Sequence, residues 1–77
     1  MAGLGKLLRF LERLEVERVH YTLAHFRESV NVLVSVPGER WEVEFFEDGA
    51  VEVEVFTSRG SGLEGEEAIE RLFAKAN

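Results

Sequence analysis

Residues 41–56 read WEVEFFEDGAVEVEVF, and in this stretch two runs of alternating apolar and acidic side chains flank Asp48-Gly49. Alternation with a period of two is typical of a β-strand that has one buried and one exposed face. An Asp-Gly pair between two such runs is a strong short-range signal for a β-hairpin. The stretch therefore predicts two antiparallel strands whose valines and aromatics face a core and whose glutamates face outward.

The length of the hairpin loop decides which side chains share a face. A two-residue type I′ turn at Asp48-Gly49 would pair Phe45 with Glu52, so apolar and charged side chains would mix on both faces. A three-residue loop, residues 47–49, removes this conflict and gives Gly49 the left-handed position of the closing bulge. We therefore predict the inward pairs Phe45–Val51, Val43–Val53 and Trp41–Val55, and the outward pairs Glu44–Glu52 and Glu42–Glu54.

Outside the hairpin, the spacing of apolar residues predicts two helices and two further strands. The helical segments carry leucines or other apolar residues three and four positions apart, whereas the strand segments alternate. A segment rich in Gly and Ser before the last helix indicates a flexible connector. The predicted elements are a helix (4–17), four strands (19–24, 30–36, 41–46, 51–56), the connector (59–62) and a final helix (65–76).

These elements predict an α+β fold with the order α-β-β-β-β-α. Because every connection is short, we expect the strands to form a four-stranded antiparallel meander. The valine face of that sheet is the large apolar surface, so both helices are expected to pack on this one face. We expect a single two-layer α+β domain across residues 1–77.

The composition limits the class of protein. The chain has no cysteine, which excludes disulfides and thiolate metal sites. Fourteen of its fifteen acids are Glu, seven of its nine bases are Arg and it has no Gln, a usage that we expect of a thermophilic source. No apolar run approaches the roughly 18 residues of a membrane span, and no signal peptide is visible, so we expect a cytoplasmic location and no membrane partner.

The negative charge is concentrated in the hairpin. Residues 39–54 hold seven acids and one base, and their net charge of −6 equals that of the whole chain. Such a face is often a solvated surface that prevents edge-to-edge aggregation. Alternatively, it attracts a basic protein partner. A divalent cation between Glu44 and Glu52 is a third interpretation, which a flat sheet with few oxygen ligands disfavours.

The remaining polar residues predict no catalytic, cofactor or metal site. His20 and His25 are five apart, so in a regular strand they face opposite sides. Residues 60–62 are flanked by glutamates that would repel a phosphate group. The acidic net charge also disfavours nucleic-acid binding. A basic stripe on the first helix, formed by Lys6, Arg9 and Arg13, makes self-association through unlike faces a further hypothesis.

One segment carries a resemblance. Residues 37–46 (PGERWEVEFF), the second half of the hairpin and the closing Glu-rich helix resemble a group of small uncharacterised bacterial proteins of similar length. The resemblance covers most of the chain. The group has no established activity, so the resemblance implies no catalytic or binding residues, and a toxin-neutralising role fits its size and acidity by analogy only.

We therefore expect a non-enzymatic interaction domain without a cofactor. In this interpretation an acidic sheet face binds a basic protein, and two aromatic side chains provide apolar anchors beside the carboxylates. The alternatives are a homodimeric structural protein with no specific ligand, and a weak metal-binding domain or small enzyme that uses Glu44, Glu52 and His20. The candidate partner-binding residues are Glu42, Glu44, Phe46, Glu52, Glu54 and Phe56.

Overall fold

The computed structural model describes residues 2–76. Over that range the chain forms two α-helices and five β-strands, with a short 3₁₀ turn before the second helix. Neither of these helices is long and apolar enough to cross a membrane. The elements are α1 (Ala2–Val16), β1 (Tyr21–Phe26), β2 (Ser29–Val36), β3 (Glu39–Phe46), β4 (Val51–Thr57), β5 (Gly60–Glu64), the 3₁₀ turn (Glu66–Ala68) and α2 (Ile69–Ala76).

The five strands form one antiparallel sheet in the order β1-β2-β3-β4-β5. The α+β class and the antiparallel meander are therefore confirmed. The predicted register of the central hairpin is confirmed as well, including the pairs Glu44–Glu52 and Glu42–Glu54. Its loop has three residues, because the Phe46 amide donates to the Ala50 carbonyl at 2.9 Å and Gly49 adopts a positive φ of 94°.

The predicted number of four strands is wrong, because the connector predicted over residues 59–62 is part of β5. Thr57 pairs with Gly60 across a two-residue turn, and Gly60 has a φ of 125°. The Arg59 amide donates to Thr57 Oγ1 at 3.2 Å, which supports the turn. All five residues of β5 are exposed. The strand pairs with β4 and keeps all its side chains exposed, so no alternation of buried and exposed side chains could reveal it.

Smaller differences occur at the ends of other elements. The first helix ends at Val16 rather than at residue 17, and Arg18 takes a positive φ of 60° just before the chain enters the sheet. The final helical segment begins with the 3₁₀ turn and becomes α-helical only at Ile69. Helix ends depend on local hydrogen bonds that the spacing of apolar residues does not encode.

The core lies between the inward face of the sheet and the two helices. Phe10 of α1 lies 5.4 Å from the Phe45 ring and 5.9 Å from the Phe73 ring, so α1, β3 and α2 meet at these aromatics. Strand alternation supplies the other wall. The buried core residues are Phe10, Leu14, Val32, Val34, Val36, Trp41, Val43, Phe45, Val53, Val55, Ala68, Leu72 and Phe73.

An arginine connects the two helices at the rim of this core. Arg13 donates two hydrogen bonds to the Glu70 carboxylate, at 2.7 and 3.1 Å, and a third to Glu17 at 2.9 Å. Its guanidinium also lies 3.9 Å from the centre of the Phe73 ring. A bidentate ion pair above an aromatic ring holds one relative position of α1 and α2.

Acid should destabilise the protein through such pairs. Hydrogen bonds from Arg13 lower the pKa of Glu70, and those from Arg71 lower the pKa of Glu64, from the ordinary 4.5. A carboxyl whose folded pKa is lowered contributes stability above its unfolded pKa and loses it as the pH falls through the folded value. The midpoint of thermal unfolding should therefore decrease below pH 4.5, and less steeply in a Glu64→Gln, Glu70→Gln double variant. If the midpoint of thermal unfolding decreased equally below pH 4.5 in the wild type and the double variant, these two ion pairs would not be the cause.

Candidate functional site

The sheet face opposite the core, termed the outer face, carries four aligned carboxylates. Glu42 lies opposite Glu54, and Glu44 lies opposite Glu52. Their neighbours along β3 and β4 are buried in the core, so strand alternation turns all four glutamates to the other side. The structure thus brings together the four acids that the sequence predicts as a site. They are termed the acidic quartet.

Two members of the acidic quartet have polar neighbours. Glu44 accepts a hydrogen bond from Ser29 Oγ at 2.5 Å. Glu42 accepts one from Asn31 Nδ2 at 3.3 Å and lies 3.6 Å from a guanidinium nitrogen of Arg40. Both hydrogen-bond donors come from β2, whose register with β3 places them beside these carboxylates.

The other two members have no such neighbours. Within residues 2–76, Glu52 and Glu54 have neither a hydrogen-bond partner nor an ion-pair partner for their side chains. Arg40 is therefore the one cation within residues 2–76 that lies beside the acidic quartet, and it pairs only with Glu42. Like charges directly opposite each other across a strand pair destabilise a sheet.

The predicted aromatic anchors lie on the same face, but they are half-buried rather than exposed. Phe56 has the Arg40 guanidinium 4.4 Å from its ring centre, because the two residues are paired across β3 and β4. Phe46 lies at the end of β3 beside Ser29. Sequence reasoning missed Leu63, which is 79% exposed and pairs with Glu54, because β5 was not predicted.

A small cleft opens on the outer face, with a cavity volume of about 40 Å³. Asn31 forms part of its lining and is only 8% exposed. The Oδ1 atom of Asn31 is buried and has no hydrogen-bond partner. Strand alternation in the sequence predicts that Asn31 lies on this face, but it does not predict that the side chain is buried. The other lining residues are Val53, Leu63 and all four members of the acidic quartet.

Two of the three residues in the basic stripe of α1 form ion pairs within the molecule. Lys6 Nζ donates to the Gly49 carbonyl at 3.0 Å and to Glu66 at 3.1 Å, and Arg13 binds Glu70 and Glu17. Of the three stripe residues, Arg9 alone has no ion pair within residues 2–76. With two of its three cations already paired, the stripe has less charge left for the acidic quartet of another copy, which weakens the hypothesis of self-association through unlike faces.

The two histidines do not join the acidic quartet. His25 pairs with Val30 on the core-side face of β1 and is exposed there, whereas His20 precedes β1. In the described part of the chain, no three or more His, Asp or Glu side chains are arranged to hold a metal ion. The structure therefore does not bring His20, Glu44 and Glu52 together as a metal site.

The chemistry of the outer face follows from its atoms. Ionised carboxylates accept hydrogen bonds and donate none, and the free amide oxygen of Asn31 is a further acceptor. The face is thus suited to cationic hydrogen-bond donors.

Comparison of the chain with protein-family models, with curated proteins and with solved structures found no match. The resemblance of residues 37–46 therefore stays a prediction, and function has to be inferred from the geometry.

Proposed function

We propose that this protein is a non-enzymatic interaction domain whose outer face binds a basic protein partner. One observation carries the proposal: the acidic quartet is aligned in two directly opposed pairs, and among the residues that the structure describes only Arg40 lies beside it as a cation. Opposed like charges cost a few tenths to about 1 kcal/mol per pair in the free protein. A cationic surface docked on this face would remove that repulsion, so part of the binding free energy would come from its relief.

The surroundings of the acidic quartet support a protein partner. Phe46, Phe56 and Leu63 lie on the same face and add apolar contact area at its rim. Interfaces gain much of their affinity from a few such side chains, whereas exposed charges mainly provide steering and specificity. A toxin-neutralising role toward a small basic protein fits this arrangement by analogy.

A second protein is favoured over another copy of this chain. Lys6 already binds Glu66, and Arg13 already binds Glu17 and Glu70, within the molecule. Releasing them would cost the internal pairs before any new pair formed. The cation for the acidic quartet is therefore expected from a separate basic protein.

Charge reversal of the acidic quartet should abolish partner binding. The four substitutions are Glu42→Lys, Glu44→Lys, Glu52→Lys and Glu54→Lys, and the matched control reverses four exposed acids outside the quartet: Glu12, Glu28, Glu47 and Glu67. Both variants change the net charge equally, so they separate a local effect from a general one. Tagged proteins would be compared in pull-downs at low and high salt, after circular dichroism has shown that each is folded.

The expected result is a basic protein that the wild type and the control retain at low salt, that high salt releases and that the quartet variant does not retain. Recovery of the same partners by the wild type and the quartet variant would contradict the proposal.

Homodimerisation is the alternative function, and one observation favours it. Leu4, Leu8 and Leu23 are 49%, 56% and 53% exposed. Leu4 and Leu8 are four positions apart on α1 and therefore neighbours on its surface. Exposed apolar patches are a common property of surfaces that associate. Light scattering over a range of protein concentrations discriminates between the two functions, because a strict monomer at high concentration excludes the dimer.

A further inference from the structure

We propose that the cleft in the outer face binds a primary ammonium group, the side-chain end of a lysine on the basic partner, with Asn31 Oδ1 as one of its acceptors. This inference rests on the proposed function and names the chemical group that the site recognises. It depends on one atom, the buried amide oxygen of Asn31, which has no hydrogen-bond partner in the described chain.

The orientation of the Asn31 amide is fixed by its neighbour. Its Nδ2 donates to Glu42 Oε1 at 3.3 Å. Rotating the amide by half a turn would point its oxygen at this carboxylate, and two acceptors would then face each other. Oδ1 therefore remains the free atom, and only a donor from outside residues 2–76 can satisfy it. Native proteins rarely leave a buried acceptor unpaired, so this atom indicates a missing donor, either a water molecule or a group of a ligand.

The lining of the cleft determines the charge of that ligand. Apart from Leu63 and Val53, its lining side chains offer the acidic quartet and the Asn31 amide. Glu42 and Glu44 already accept hydrogen bonds from β2, whereas Glu52 and Glu54 have no partner within residues 2–76. A water molecule would satisfy Oδ1 but leave the carboxylates uncompensated. A cationic donor satisfies both.

The small size of the cleft favours a compact cation. A cavity of about 40 Å³ accommodates a group the size of a water molecule or an ammonium. The guanidinium of an arginine is a planar fork with five N–H donors and is larger. The described residues contain no metal-binding arrangement of His, Asp or Glu side chains. An ammonium has three N–H donors, which can serve Oδ1 together with carboxylates of the acidic quartet that line the cleft.

The rim of the cleft suits the rest of a lysine side chain. Leu63 of β5 is 79% exposed beside Glu54, and Leu33 of β2 lies opposite Glu42. Lysine buries its apolar stem along such surfaces while its charged end reaches a polar site. The exposure of Leu63 is thus explained as the contact surface for that stem.

The test compares three peptides that carry the same charge. The probes are hexalysine, hexa-arginine and hexalysine trimethylated on every side chain, titrated by isothermal calorimetry into the wild type and Asn31→Leu. The wild type should bind hexalysine about fivefold to tenfold more tightly than either other peptide, because trimethylation removes the donors and a guanidinium is broader than an ammonium. Asn31→Leu should bind hexalysine less tightly than the wild type does and should show a smaller preference for it over the other two peptides.

The outcomes separate this inference from the proposed function. Equal binding of all three peptides by the wild type, together with loss of all three in the charge-reversed acidic quartet, would overturn the lysine site and leave the docking face intact. Failure of the wild type to bind any of them would argue against both. If Asn31→Leu does not fold, the comparison of hexalysine with its trimethylated form on the wild type decides alone.

Discussion

Trp41→Ala should lower the free energy of unfolding by about 3–5 kcal/mol, the largest effect that we expect of a single substitution. Trp41 lies in β3, the middle strand of the sheet, and is fully buried, and its indole nitrogen donates to Glu39 at 2.9 Å. A chain of this length has a total stability of about 4–12 kcal/mol. The variant should therefore melt at least about 12 °C lower than the wild type, or be unfolded at room temperature.

Phe56→Ala provides the matched control for Trp41→Ala. Phe56 lies on the neighbouring strand β4, but its side chain is half-buried on the outer face beside Arg40. Its removal should cost only about 1 kcal/mol, because little core packing is lost. Both variants would be measured by urea unfolding followed by circular dichroism. Tryptophan fluorescence cannot be used for this comparison, because Trp41 is the sole tryptophan. Equal losses of stability would contradict the assignment of Trp41 to the core face and Phe56 to the outer face.

Gly3→Ala should destabilise the protein by about 1–3 kcal/mol, although alanine is the better helix former. Gly3 is buried in α1, and an added Cβ would collide with the carbonyl oxygen of Phe46. That oxygen belongs to the backbone of β3 and also accepts the Gly49 amide at 3.0 Å in the hairpin loop. It cannot move without disturbing the loop, so α1 has to shift away from the sheet instead.

Gly5→Ala on the same helix should have the opposite sign. The nearest atom to a Cβ at Gly5 is a guanidinium nitrogen of Arg9 at 3.3 Å, and this flexible side chain can move aside. The substitution should raise the free energy of unfolding by about 0.5–1 kcal/mol through helix propensity alone. Thermal melting of the two variants side by side is the measurement. Changes of the same sign in both would show that α1 does not approach the hairpin as closely as described.

The core face and the outer face of the central hairpin follow from local sequence. Alternation along residues 41–46 and 51–56 fixes the direction of each side chain, and a three-residue loop is required to keep valines opposite valines. The structure has that register. The acidic quartet was therefore predictable, since the features that define it lie within one hairpin.

Three parts of the candidate site were not predictable from local patterns. Leu63 belongs to β5, which is fully exposed and forms through its backbone ladder with β4, so its side chains carry no period. Asn31 is buried on a strand flanked by Ala24 and Glu44 of its two neighbours, and only the assembled sheet brings these residues together. Two of the three residues of the basic stripe are paired with distant acids, since Lys6 meets Glu66 and Arg13 meets Glu70, 57 positions away in the chain.

The sequence by itself determined strand parity, and with it the side of the sheet on which the glutamates lie. Successive side chains of a strand point to opposite faces, so the order of adjacent residues is enough to assign each side chain to one face. Tertiary structure alone decided which polar groups form hydrogen bonds and which cations form ion pairs within the molecule. It also decided that the amide oxygen of Asn31 is left without a donor in the described part of the chain. Those outcomes depend on contacts between distant residues, and no period along the chain records them.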